Sequence, residues 1–117
     1  MLKIILARFF VWLHLVRRPG YLSRFVMEHP CPDEIVNGIM LIVKDGQREK
    51  WAFFRCPCGC GQRIQLSLSE SKRPKWSVMV DLLSRPTVTP SVRQLSGCKS
   101  HYWIKRGYIE WCRDSGK

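Results

Sequence analysis

From residue 38 onward the chain alternates short apolar runs with polar breaks, a pattern that predicts strands rather than helices. Residues 38–43, Gly-Ile-Met-Leu-Ile-Val, read as a buried strand, and Asp45-Gly46 marks a turn into Lys50-Trp51-Ala52-Phe53-Phe54-Arg55. Residues 64–68 alternate apolar with Gln65 and Ser67, and residues 76–80 and 87–89 add two more strands across a linker at 82–86. Residues 101–104 and 108–112 form the last hairpin around Arg106-Gly107. A two-residue turn there sets Lys105 against Tyr108, Ile104 against Ile109, Trp103 against Glu110, Tyr102 against Trp111 and His101 against Cys112. Tyr102, Ile104, Ile109 and Trp111 then share an apolar face, while His101, Trp103, Lys105, Tyr108, Glu110 and Cys112 share the other.

The amino-terminal pattern differs. Leu2, Ile5, Phe9, Trp12 and Val16 recur at helical spacing, and Arg17-Arg18-Pro19-Gly20 closes the segment with a basic last turn and a breaker. The expectation is an amphipathic helix over 1–20, then a single zinc-stabilised β-rich domain over 21–117. The apolar stretch carries Lys3, Arg8 and His14 and falls short of the roughly 20 residues a spanning helix needs, so membrane contact through it is not the favoured reading. Residues 21–27 read as a further short helix, and His29-Pro30-Cys31-Pro32-Asp33 as an extended connector. The expected fold class is mainly β, a small antiparallel sheet with a zinc knuckle at one end.

The zinc expectation comes from the cysteines. Cys56-Pro57-Cys58-Gly59-Cys60-Gly61 packs three thiols into five residues, and Cys98 follows in Gly97-Cys98-Lys99-Ser100-His101. Thiols this close cannot bridge one another without strain, but Pro57, Gly59 and Gly61 let the backbone fold them around one ion. The set Cys56, Cys58, Cys60 and Cys98 predicts structural Zn2+, a closed four-thiolate site, with Cys31 and Cys112 spare. A catalytic zinc with His101 or His29 as a ligand is the alternative. The thiols, with nothing resembling a cleavable signal, point to the cytoplasm.

Charge widens the choice of partners. In 117 residues, Lys and Arg outnumber Asp and Glu by 20 to 9, a formal charge of +11 that suits an acidic protein face, a nucleic acid or an anionic membrane. Five Trp residues beside runs such as Lys72-Arg73-Pro74-Lys75-Trp76 keep a zinc-stabilised nucleic-acid-binding module in view as a second class of function.

Over residues 36–112 the combination of Cys-Pro-Cys-Gly-Cys-Gly, Trp76, Thr89-Pro90-Ser91-Val92, Gly97-Cys98-Lys99-Ser100-His101-Tyr102-Trp103-Ile104 and Ile109-Glu110-Trp111 resembles a bacterial domain family found near ubiquitin-like proteins and their activating and conjugating enzymes. The resemblance implies a small zinc-containing protein of such a pathway, a serine-type protease that matures or removes the modifier. Its expected partners are the ubiquitin-like protein or its conjugates and the conjugation enzymes; a scaffold for those enzymes is a further reading. Ser91, Ser100 and His101 are the motif positions with usable chemistry. Ser100 and His101 are adjacent on a strand and point apart, which favours Ser91 as nucleophile, His101 as general base and Glu110 as the acid that orients it.

Overall fold

A computed structural model describes residues 20–116. The expected helix over 1–20 lies outside the described residues, apart from Gly20. The remainder folds as eight strands in two four-stranded sheets, each running through its strands in sequence order. Sheet A contains β1 (Leu22–Val26), β2 (Ile39–Asp45), β3 (Arg48–Arg55) and β4 (Arg63–Ser67). Sheet B contains β5 (Ser77–Val80), β6 (Pro86–Arg93), β7 (His101–Lys105) and β8 (Tyr108–Trp111). The mainly β class is as expected, divided between two sheets rather than held in one.

Alternation explains the layering. Met40, Ile42, Ala52, Phe54, Ile64 and Leu66 from sheet A meet Val78, Val88, Val92, Tyr102 and Ile104 from sheet B in one buried core. Each large side chain among them contributes about 1.5–3 kcal/mol by leaving water. The intervening positions Leu41, Val43 and Phe53 face the other side of sheet A and cluster with Ile35.

Residues 21–27, expected as a helix, are instead an edge strand: β1 pairs in parallel with β2, from Leu22 opposite Ile39 to Val26 opposite Val43. A parallel partner needs a crossover, which residues 27–38 supply. The turn-rich connector expected there contains a short 3-10 helix, Pro32–Glu34, whose Glu34 carboxylate accepts the Cys31 amide at 2.9 Å. The last hairpin has the anticipated register, Lys105 opposite Tyr108 through Tyr102 opposite Trp111. Arg106 and Gly107 both take positive φ, 49° and 80°, which matches a primed two-residue turn. Gly107 also ties the sheets together: its amide donates to Pro86 O, and its carbonyl accepts from the Gly20 and Tyr21 amides.

One irregularity positions the site. Between Val88, opposite Ile104, and Val92, opposite Tyr102, the chain takes four steps along β6 against two along β7. This wide bulge holds Thr89, a cis-linked Pro90 and Ser91. Val88 and Val92 on either side both remain buried, so the surplus is accommodated outside the core. Among the described residues no helix is long and apolar enough to cross a membrane.

Candidate functional site

Two clusters flank the segment that leads from Cys98 to His101. The first is the thiol cluster. Cys56, Cys58 and Cys60 lie in the connection between β3 and β4, Cys98 in that between β6 and β7, and the four sulfurs all fall within 4.8 Å of one another. Cys56 Sγ is 3.4 Å from Cys58 Sγ and 3.7 Å from Cys98 Sγ. Tetrahedral thiolates 2.3 Å from a shared zinc stand about 3.8 Å apart, so the spacing and the donor set both fit an ion of that kind.

Local chemistry shapes the knuckle. Gly59 and Gly61 take φ of 90° and 82°, a region open to glycine, and turn the chain so that the Cys56 amide reaches Gln62 O at 2.8 Å. Arg55 clamps it from outside, donating to Ile35 O and Gly61 O at 2.7 and 2.8 Å. The Ser100 hydroxyl donates to Cys98 Sγ at 3.2 Å and is the main reason that thiol is drawn down to about 6. Burial pushes the Cys56 thiol up to about 12. Four thiols so arranged can hold a metal ion.

The second cluster is built on the outer face of sheet B. Ser91, carried by the bulge, places Oγ 3.0 Å from His101 Nε2. His101 Nδ1 lies 2.6 Å from Asp114 Oδ1. Asp114 accepts from Nδ1–H, which leaves the Nε2 lone pair facing the serine hydroxyl. Arg93, directly across the ladder from His101, forms an ion pair with Asp114 and holds its guanidinium 3.1 Å from Nδ1.

The carboxylate is supplied by the turn after β8. Ser115 N donates to Cys112 O at 3.1 Å, Gly116 N to Lys99 O at 2.8 Å, and the His101 amide to Ser115 Oγ at 3.0 Å. The turn therefore folds back beside β7 with Asp114 over the imidazole. On the other side the Trp76 indole donates to Ser91 O at 3.2 Å, anchoring the bulge.

The expected residues thus separate. Ser91 and His101 come together from the paired strands β6 and β7. Ser100 is buried against Cys98 and belongs to the thiol cluster. Glu110 pairs with Lys105 at 3.1 Å on the exposed face, and the acid beside His101 is Asp114. Asp114 was missed because it follows the hairpin, where strand alternation assigns no face; its signal was a polar turn, Arg113-Asp114-Ser115-Gly116, just past the end of β8. Cys31 stays exposed and apart from both clusters, whereas Cys112 joins His101 and Asp114. Cys98 and Cys112 fall in different clusters.

Serine, imidazole and carboxylate in this order can move a proton from hydroxyl to ring while the carboxylate supports the charge. Neither a curated protein nor a solved structure matches the chain. One protein-family description does, over residues 26–112, a span that holds both clusters except for Asp114. With most of its length covered by that match, the chain belongs to the bacterial ubiquitination-like system serine protease (BubE) family.

Proposed function

We propose that this chain is a serine-type peptidase that cuts at the carboxyl end of a ubiquitin-like modifier, either to mature it or to release it from a conjugate. The observation that carries the reading is the continuous hydrogen-bonded path Ser91 Oγ to His101 Nε2 at 3.0 Å and His101 Nδ1 to Asp114 at 2.6 Å. In the first half of the reaction His101 takes the Ser91 proton as Oγ attacks the scissile carbonyl, and it returns that proton to the leaving group. In the second half it takes a proton from water, which hydrolyses the acyl-serine. Asp114 keeps the ring in the tautomer that both steps require.

Two further features support the assignment. An open trough of about 720 Å³ is lined by Thr87, Thr89, Trp103 and Lys105, room for an extended peptide tail, and Thr89 at its edge is two residues from Ser91 in the chain. The net charge of +11 suits an acidic partner surface. Nucleic-acid binding is the weaker reading, because Trp76, the aromatic of the basic run 72–76, packs against the core and donates its indole N–H to Ser91 O rather than standing free to stack on bases.

Cys56, Cys58, Cys60 and Cys98 would hold structural Zn2+, supplying a cross-link and no open coordination position. Their part in the chemistry is indirect: they fix Cys98, and so the start of the segment that carries His101. The test is labelling with a fluorophosphonate probe followed by peptide mapping. Labelling at Ser91 that is lost in His101→Ala establishes the peptidase, and no labelling of the metal-loaded protein refutes it.

A further inference from the structure

Beyond the four thiols, a second group of metal-ligating side chains converges among the described residues. A ring nitrogen of His101, Cys112 Sγ and a carboxylate oxygen of Asp114 all lie within 4.8 Å of one another. We propose that His101, Cys112 and Asp114 form a second, weaker metal site for a borderline-soft divalent cation such as Zn2+, and that filling it switches the Ser91–His101 pair off. The switch rests on the peptidase reading given above, whereas the existence of the site rests on the ligand geometry alone.

The three donors are not a chance surface grouping, because the backbone fixes each of them. The Cys112 amide donates to His101 O at 2.9 Å, which places Cys112 beside the histidine at the end of the ladder. The turn that follows is closed by the Ser115 amide on Cys112 O and by Ser115 Oγ on the His101 amide, and it brings Asp114 to Nδ1. One nitrogen, one sulfur and one oxygen with a fourth position open is a zinc-type donor set; a thiolate disfavours Mg2+ and Ca2+. Cys112 is partly exposed and the Asp114 side chain is 47% exposed, so an ion can arrive from solvent.

Arg93 sets the affinity. Its guanidinium pairs with Asp114 and stands 3.1 Å from Nδ1, so an entering cation must displace a cation already there. The site therefore fills only after the four-thiol cluster is saturated, as suits an inhibitory site rather than a resident cofactor.

The proton count gives the consequence. An ion at this site takes the Nδ1 lone pair, the Cys112 thiol gives its proton to solvent, and the hydrogen of the neutral ring must then sit on Nε2. Nε2 now meets Ser91 Oγ as a donor instead of an acceptor, and the serine proton has no base to receive it.

The experiment uses the full chain in two arms. In the first, titration with 113Cd2+ followed by cadmium NMR is expected to give one signal of four-thiolate character at one equivalent. A second signal, of single-thiolate character, should appear at two equivalents, and Cys112→Ser should keep the first and lose the second. In the second arm, fluorophosphonate labelling of the zinc-loaded wild-type protein should slow about 10²-fold when free Zn2+ is raised. Labelling should recover with a chelator too weak to strip the four-thiol cluster. Cys112→Ser and Cys112→Ala, each compared with its own labelling rate at low free Zn2+, should ignore the added metal. A single cadmium signal at two equivalents, a second signal that survives Cys112→Ser, or zinc inhibition unchanged in both variants would overturn the proposal. If no form labels at all, the peptidase reading falls, and the cadmium spectra still decide whether the second site exists.

Discussion

His101 has one nitrogen committed to Asp114 and the other facing Ser91, and the whole chemical case depends on that division staying fixed. Asp114→Asn keeps the shape but lets the amide present its NH2 to Nδ1, which favours the tautomer with hydrogen on Nε2. The labelling rate at Ser91 should then fall roughly 10²–10⁴-fold with the fold intact by circular dichroism. Glu110→Gln, by contrast, removes an exposed pair with Lys105 and should leave kcat near the wild-type value. The reverse pattern, with Glu110 essential and Asp114 dispensable, would return the acid to the hairpin. Ser100→Ala separates the two clusters in the same way. It removes the hydroxyl that holds Cys98 near 6, so metal should be released at a higher pH than from the wild type, while Ser91 of the loaded protein still labels.

At the scale of elements, the strands with strong alternation were legible in the sequence and those set by long-range pairing were not. β2, β3, β4, β5, β7 and β8 follow from apolar periodicity, and the last hairpin was legible down to its register, because a two-residue turn leaves one register that buries Tyr102 and Ile104. β1 was hidden because Leu-Ser-Arg-Phe-Val has no clean period, and its partner β2 lies across a crossover. β6 was legible only through Thr89, since Pro90 reads as a strand terminator; the bulge accommodates it and lets the strand run on to Arg93. Serine and histidine could be matched from their neighbouring segments, but the carboxylate sits in a turn, and turns carry no face. Gly107 gives the test at this scale. It holds φ of 80° while bonding to Pro86 and to the chain entering β1, so Gly107→Ala should cost about 1–2 kcal/mol in urea unfolding and loosen both sheets together. A loss confined to the hairpin would show that the two sheets unfold separately.

Across the whole molecule, the thiol cluster joins what the strands leave separate. Cys56, Cys58 and Cys60 extend from sheet A, Cys98 from sheet B, and Cys56 and Cys98 are 42 residues apart in sequence, so an ion held between them would close a long loop and link both layers at one end. Removal of that ion should cost several kcal/mol, which in a domain of this size lowers Tm by roughly 10–20 °C. The sign of the pH effect follows from the thiols. A metal bound there would hold all four as thiolates, so protons would compete with it and binding would weaken as pH falls. Cys56, pushed up to about 12 by burial, releases a proton on binding at any ordinary pH, and below about 6 Cys98 adds its own proton to the competition. Chelator-induced loss of metal should therefore become easier from neutral pH downward, most steeply below about 6. Only Lys99 and Ser100 separate Cys98 from His101, so the same loss should misplace the imidazole and abolish Ser91 labelling in step with metal release. A metal-free protein that melts at the same temperature and labels at the same rate would mean that the sheets and the serine site hold their places without the cross-link.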